Sequence, residues 1–256
     1  MSIPFFLLIL HYIISFKIIT FGGSDRSNHN AGYYSEVVAA DSRRKEFNIK
    51  NHSLMYSNQK PDFIFAGDSI THFWELNAYF RNPNLFIINR GIAGDNTTYL
   101  RKRFFTDVLQ LEPKYCILDI GINDTINLEG DYWKLIPPAP YDAVLEKAKE
   151  NYCDIIYQTK QTSTQLIITS LMPIYMPTSL HERERKDFIK DFNNWLTQKA
   201  RQEGLIFVNY YTPTCYPGAS IPLDGITYDG LHPNGKGYDI MATILRNTLK
   251  QHNIQI

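Results

Sequence analysis

Two segments far apart in the chain carry the residue types needed for nucleophilic catalysis. Ser69 follows a short apolar run in PDFIFAGDSITHFWEL, residues 61–76, and Asp229 precedes His232 by three positions in YDGLHPNGKGY, residues 228–238. A serine hydroxyl becomes nucleophilic when a base lies within hydrogen-bond reach, and histidine suits that role near neutral pH. An aspartate can fix the tautomer of that histidine. The residues therefore predict acyl transfer through Ser69, with His232 as base and Asp229 as its orienting carboxylate.

Two further polar segments could stabilise the oxyanion that acyl transfer creates. Asn89-Arg90-Gly91 and Gly121-Ile122-Asn123-Asp124 each follow an apolar run. A tetrahedral intermediate needs hydrogen-bond donors aimed at its oxygen. The candidate donors are the N–H groups of Gly91 and Ser69 and the side-chain amide of Asn123, and a glycine allows close approach of the chain. Three aspartates are predicted to hold the turns through local hydrogen bonds to backbone N–H groups: Asp68, Asp95 and Asp124.

The elements that must position these residues alternate regularly from residue 61 onward. The predicted strands are Phe63–Ala66, Leu85–Ile88, Tyr115–Ile120, Leu166–Thr169 and Leu205–Val208, and the predicted helices cover 33–58, 71–80, 96–110, 140–162, 182–203 and 234–252. Short, continuous apolar strands are typical of a parallel sheet covered on both faces. Strands alternating with helices predict an α/β protein, a three-layer α/β/α sandwich with right-handed crossovers. Ligands bind such folds at the carboxyl ends of the strands, where the polar segments lie.

Four blocks, in this order, resemble the GDSL family, also called SGNH hydrolases. The blocks are AGDSIT (66–71), NRGIAGDNT (89–97), DIGINDT (119–125) and DGLHPNGKGY (229–238). The family is named for Ser, Gly, Asn and His, which match Ser69, Gly91, Asn123 and His232. The resemblance covers roughly residues 60–250. It implies a flavodoxin-like, five-stranded parallel sheet of order 2-1-3-4-5, with attack by Ser69, His232 as the base and Asp229 as its partner. Ile122 stands where threonine is more usual.

The resemblance implies a serine ester hydrolase, a GDSL-type esterase or lipase working through an acyl-serine intermediate. The expected substrates are small acyl esters, such as acetylated sugars, short-chain esters or lysolipids. The block NRGIAGDNT resembles the platelet-activating-factor acetylhydrolase-like branch, which favours short acyl or acetyl groups. One alternative is an acyltransferase that uses the same acyl-enzyme. Another is a non-catalytic module that binds carbohydrate or lipid on the same fold.

Composition narrows the classes of partner and cofactor. Among 256 residues, Lys+Arg and Asp+Glu are both 26. The chain therefore lacks the surplus of basic residues that is typical of nucleic-acid-binding proteins. Three cysteines, Cys116, Cys153 and Cys215, show no metal-ligand or redox spacing, although one bridge is possible. The histidines are scattered, and no P-loop or dinucleotide fingerprint occurs. We therefore predict neither a cofactor nor a metal.

The N-terminal stretch IPFFLLILHYIISFKIITF, residues 3–21, is almost entirely apolar. We interpret it as a signal peptide or membrane anchor, followed by a polar linker at 22–32. The alternatives are a misassigned start or a buried first segment. The predicted organisation is therefore a leader and linker at 1–32 and a single hydrolase domain at 33–256. It favours a secreted or membrane-anchored protein, with any membrane contact through this segment; a cytoplasmic protein is the alternative.

Overall fold

Five parallel strands form the centre of the molecule. The structure is a computed structural model that describes residues 43–130 and 135–256. The strands are β1 Phe63–Gly67, β2 Ile87–Gly91, β3 Tyr115–Asp119, β4 Gln165–Thr169 and β5 Ile206–Val208. They pair in parallel in the order β2-β1-β3-β4-β5. The predicted fold class and sheet order are confirmed.

Helices cover both faces of this sheet. The α-helices are α1 Arg43–Tyr56, α2 Ser69–His72, α3 Leu76–Tyr79, α4 Thr97–Asp107, α5 Tyr141–Lys160, α6 Glu182–Glu203, α7 Tyr211–Thr214 and α8 Gly235–Gln251. Two 3₁₀ helices span Leu109–Leu111 and Ile122–Leu128. Because side chains alternate along a strand, Ile64 on β1 joins the core with α4, α5 and α6. Its neighbour Phe65 joins the opposite core with α8. The sheet and the helices on its two faces thus form the three predicted layers.

Two predicted elements differ from the observed ones. The second strand begins at Ile87 and continues through the polar residues Asn89 and Arg90. Both side chains are engaged, since Asn89 bonds to backbone carbonyls and Arg90 to Asn51. The predicted helix 71–80 divides into α2 and α3. Polar residues can therefore continue a strand where tertiary partners satisfy them.

The leader, the linker and the start of the predicted first helix lie outside the described residues. Helix α1 begins at Arg43 and corresponds to the later part of the predicted helix 33–58. The division into 1–32 and 33–256 therefore stays a prediction. No helix in the described ranges is long and apolar enough to cross a bilayer.

Candidate active site

Ser69 is the first residue of α2 and lies two residues after the end of β1. Asp68 caps α2, because its side chain accepts a hydrogen bond from the Ile70 N–H at 2.9 Å. This local bond confirms the predicted turn role of Asp68. A β-carbon at Gly67 would lie 2.1 Å from the Asp119 carbonyl oxygen, so the tight exit from the strand requires glycine. The strand end and the cap together set the position of the Ser69 hydroxyl.

Ser69, His232 and Asp229 form a continuous hydrogen-bonded chain. Ser69 Oγ lies 2.9 Å from His232 Nε2, and His232 Nδ1 lies 2.7 Å from Asp229 Oδ2. The other Asp229 oxygen accepts the backbone N–H groups of Leu231 at 3.0 Å and His232 at 2.8 Å. With the Nδ1 proton directed at Asp229, Nε2 is free to accept the Ser69 proton. The structure thus brings together three residues 163 positions apart at their widest.

The surroundings of Asp229 favour its ionised form. Partial burial opposes ionisation, but the N–H of His232, the His232 ring and the N–H of Leu231 together lower the pKa of Asp229. Hydrogen bonds to a carboxylate stabilise the charged form. Asp229 is therefore available as a negative partner for the imidazolium that forms when His232 takes a proton.

The loop that carries Asp229 and His232 is fixed at both ends. Asn234 caps α8 by accepting the N–H groups of Lys236 and Gly237 at 3.0 and 3.1 Å. The Tyr228 N–H donates to the His232 carbonyl oxygen at 2.9 Å, which closes the turn around Asp229. These bonds let one short segment supply both the base and its orienting carboxylate.

Gly91 is placed differently from its predicted role. Its N–H donates to Asn89 Oδ1 at 2.8 Å, while Asn89 Nδ2 donates to the carbonyls of Thr71 and Trp74 at 2.6 and 3.1 Å. A β-carbon at Gly91 would lie 2.3 Å from the His72 nitrogen, so this glycine admits the close approach of α2. In this structure its N–H is engaged and cannot also bind an oxyanion.

Gly94, in the turn that follows β2, is a glycine that the sequence reasoning did not consider. It has a φ of 82°, a left-handed conformation that favours glycine. The turn's hydrogen bonds come from its neighbours: Ala93 N–H to His72 Nδ1 and Asp95 N–H to the Ile92 carbonyl, both at 3.1 Å. The sequence feature that could have indicated Gly94 as a candidate is its place as the second glycine of NRGIAGDNT.

Asn123 lies against the same turn. Its Nδ2 donates to the Asp95 carbonyl oxygen at 2.9 Å, which orients the amide and leaves its second N–H for another acceptor. The side chain is half-buried on the 3₁₀ helix that follows β3. The amide of Asn123 therefore lies at the carbonyl of Asp95, one residue away in the chain from Gly94.

Two of the predicted turn aspartates also make longer-range contacts. Asp124 accepts the Thr97 N–H at 2.9 Å and the Thr97 hydroxyl at 2.6 Å, and Asp95 pairs with Arg103 at 2.6 Å. Because both aspartates are buried, these partners compensate their lost hydration. These contacts go beyond the local role predicted for Asp124 and Asp95: the two aspartates also join the second and third blocks to each other and to α4.

Two buried carboxyl groups lie at the carboxyl ends of neighbouring strands, close in the fold to Gly67. Asp68 directly follows β1, and Asp119 is the last residue of the paired strand β3, opposite Gly67. Burial, with repulsion from Asp119, raises the pKa of Asp68 well above its usual value. Burial also raises the pKa of Asp119 to about 7, against an opposing hydrogen bond from Thr169. His232, which contacts Ser69 Oγ, remains the candidate base.

An open cavity of about 550 Å³ adjoins Asp229, at one end of the hydrogen-bonded series Ser69–His232–Asp229. Its lining includes Tyr175, Leu223, Asp224, Thr227 and Asp229. Tyr175 belongs to the loop of residues 171–181, which lies between β4 and α6. The mixture of apolar and polar side chains suits a small ligand that carries hydroxyl groups.

The half-exposed ring of Phe73 lies edge-on to the His232 ring, with 5.8 Å between centroids. Cys116, Cys153 and Cys215 are all free thiols. Within the described ranges, no group of three or more His, Cys, Asp or Glu side chains could hold a metal ion.

Comparison with known proteins agrees with this architecture. Residues 65–240 match the GDSL-like lipase/acylhydrolase family. An acetylxylan esterase of Geobacillus stearothermophilus is 24% identical over 65% of this chain and 73% of its own length. An uncharacterized lipoprotein of Bacillus subtilis is 29% identical over 67% of this chain and 60% of its own length. A GDSL-like lipase of Bacteroides thetaiotaomicron superposes with a TM-score of 0.66 at 25% identity, covering 81% of this chain and 97% of the lipase. This chain belongs to the GDSL-like lipase/acylhydrolase family.

Proposed function

We propose that this protein is a serine ester hydrolase that removes short acyl groups, such as acetyl, through an acyl-Ser69 intermediate. The observation that carries the proposal is the chain of contacts from Ser69 Oγ to His232 Nε2, 2.9 Å, and from His232 Nδ1 to Asp229 Oδ2, 2.7 Å. Family membership supports the same class of chemistry.

The proposed reaction has two halves. In the first, His232 Nε2 takes the Ser69 proton as Oγ attacks the ester carbonyl, and the resulting imidazolium returns that proton to the departing alcohol. In the second, His232 takes a proton from water, the hydroxide attacks the acyl-serine, and the proton returns to Ser69 Oγ as the acid leaves. Asp229 stabilises the imidazolium in both halves.

The proposed oxyanion donors are the Ser69 N–H, the Asn123 amide and the Gly94 N–H. Gly94 replaces Gly91 in this set because the Gly91 N–H is held by Asn89. The contact between Asn123 Nδ2 and the carbonyl of Asp95, next to Gly94, supports placing both donors together. Donors fixed before the reaction stabilise developing charge most effectively, since little reorganisation is needed.

For the alcohol portion, we propose a sugar or another small hydroxyl-rich group. The cavity beside Asp229 presents Tyr175 with the polar side chains Asp224 and Thr227. A rigid aromatic ring next to hydrogen-bonding groups can accommodate an amphipathic ring. The relative named acetylxylan esterase makes acetylated sugars the first substrates to test.

We also propose that the chain is exported or anchored. Residues 3–21 are almost wholly apolar, and one relative is named a lipoprotein. Cell fractionation of the full chain would test this directly: recovery only in the cytosol would contradict it.

The function is tested with p-nitrophenyl esters from acetyl to palmitoyl, run beside acetylated xylo-oligosaccharides. We expect the highest kcat/KM with the shortest esters and none above background with Ser69→Ala. A fluorophosphonate probe distinguishes catalysis from binding alone, because it labels an activated serine and should not label a binding module. Unchanged turnover in folded Ser69→Ala protein would refute the proposal.

A further inference from the structure

Arg103 on α4 contacts three separate segments near the site while its side chain is fully buried. Its Nε donates to Asp95 Oδ2 at 2.6 Å, its Nη1 to the Arg90 carbonyl at 2.9 Å, and its Nη2 to the Gly67 carbonyl at 3.1 Å. One guanidinium therefore joins the ends of β1 and β2 to the turn that follows β2.

Each contact lies close in the chain to a group used in the proposed reaction. Gly67 is two residues before Ser69, and the Arg90 carbonyl belongs to the strand that leads into the Gly94 turn. Asp95 follows Gly94, and its own carbonyl accepts the Asn123 amide at 2.9 Å. The Arg103 guanidinium therefore binds segments that neighbour Ser69 and Gly94 in the chain, and it binds Asp95, whose carbonyl contacts Asn123.

Stability alone does not explain why an arginine occupies this position. Arg103 also approaches Asp107 at 3.3 Å, and Arg44 pairs with that aspartate at 3.1 Å. Replacement of buried ion pairs by apolar side chains is often neutral or stabilising, so charge pairing gives no strong reason for an arginine. Arginine differs from lysine in offering a rigid planar set of donors in several directions. The three contacts use that geometry.

We propose that Arg103 is a positioning residue that holds the nucleophile and the oxyanion donors in register. The inference rests on the proposed hydrolase function. It predicts that a lysine at 103, which keeps the charge and loses the fork, impairs turnover more than substrate binding. Misplacement of reacting groups by about 1 Å costs about 10²-fold in rate, so even partial loosening should be measurable.

The test compares wild type with Arg103→Lys, Asp95→Asn and the control Arg44→Met. Arg44 belongs to the same buried charge cluster but contacts none of the four catalytic blocks in the bonds described above. For each soluble protein, a fluorophosphonate titration counts active sites, p-nitrophenyl acetate hydrolysis gives kcat per titrated site and KM, and thermal unfolding gives Tm. We expect Arg103→Lys to lower kcat per site by about tenfold or more, with KM within about twofold.

Asp95→Asn, which keeps the shape of the side chain and weakens one contact, should lower kcat per site less. Arg44→Met should change Tm while kcat per site stays within about twofold of wild type. If Arg103→Lys is not recovered in soluble form, Asp95→Asn decides the question alone. Wild-type kcat per site in these variants, or an equal loss in Arg44→Met, would overturn the inference while leaving the hydrolase function standing. A wild-type protein that neither labels nor hydrolyses esters would refute both.

Discussion

Tyr175 and Gly230 meet backbone to backbone across two loops. The Tyr175 N–H donates to the Gly230 carbonyl oxygen at 2.8 Å. A β-carbon at Gly230 would lie 1.7 Å from the Tyr175 carbonyl oxygen, well inside van der Waals contact. The 171–181 loop is therefore in direct backbone contact with the segment that carries Asp229 and His232, and this contact helps to fix the position of both residues.

This contact predicts that Gly230→Ala displaces the base. We expect kcat/KM on p-nitrophenyl acetate to fall by about 10²-fold, the cost of moving a catalytic group by about 1 Å. Gly225→Ala is the matched control in the same loop: Gly225 also has a positive φ, 69°, but nothing lies within 4 Å of its β-carbon position. That control adds only left-handed strain of about 1 kcal/mol. Similar losses in both variants would show that strain, and not the Tyr175 contact, is responsible.

Asn123→Ala should lower kcat more than it raises KM, because the amide is proposed to bind charge that exists only in the transition state. Removal of one such donor costs about 2.7–4 kcal/mol, and with two backbone donors remaining we expect the lower end. Asn127→Ala serves as the control, since Asn127 is an exposed amide of the same 3₁₀ helix that donates to the Asp124 carbonyl at 3.0 Å. An effect of Asn123→Ala confined to KM would assign this side chain to ground-state binding.

The raised pKa of Asp119 predicts that the stability of the folded protein depends on pH. Its folded-state pKa of about 7 lies above the ordinary 3.8, so the folded protein holds this proton more tightly than the unfolded chain does. The stabilising contribution is therefore complete below about pH 4 and is lost as the pH rises through about 7. Asp119→Asn removes this dependence. The Tm of Asp119→Asn relative to wild type should rise between pH 5 and pH 8, as measured by thermal unfolding; a constant or falling difference would contradict the raised pKa.

Helix α1 should be essential although the apolar leader is not. Asn51 accepts from Arg90 Nε and Nη2 at 3.2 and 2.8 Å, and the Arg90 guanidinium lies 4.7 Å from the Phe47 ring. Removing α1 would leave the buried Arg90 without these partners, and unsatisfied buried groups cost about 1–3 kcal/mol, more when charged.

A chain beginning at residue 31 should therefore be soluble and active, whereas one beginning at residue 60 should be destabilised or insoluble. Solubility, Tm and ester hydrolysis of the two shortened chains check this prediction. Loss of folding in the longer of them would show that the leader belongs to the core.

The parallel sheet and the polar residues at one of its edges could be derived from the sequence by general rules, whereas the strand order and the approach of Ser69 to His232 were implied by the resemblance to the GDSL family. Apolar runs alternating with helices specify a parallel sheet, and parallel sheets gather polar residues at one edge. The pairing of Asp229 with His232 is local, three residues apart, so spacing alone was informative. These features depend little on the details of packing.

The oxyanion donors were harder to predict because side-chain contacts with the backbone decide them. Nothing in NRG indicates that Asn89 would turn back to take the Gly91 N–H. Similarly, Arg103 and Asp95 are eight residues apart across a helix boundary, and their pairing depends on how α4 packs against β1 and β2. Such contacts become visible only when the tertiary structure is known.

The central claim is that Ser69, His232 and Asp229 act as one catalytic unit. The most direct test is kcat/KM on p-nitrophenyl acetate for His232→Ala, Asp229→Ala and the double variant. We expect His232→Ala to fall almost to the level of Ser69→Ala, because the contact of Ser69 Oγ with the His232 ring nitrogen is lost. Asp229→Ala should lose less than the factor of about 10⁴ known for a wrong tautomer, since water can partly replace the carboxylate. The double variant should match His232→Ala, because residues acting as a unit are not additive. Full activity in His232→Ala, or losses that multiply in the double variant, would contradict the account.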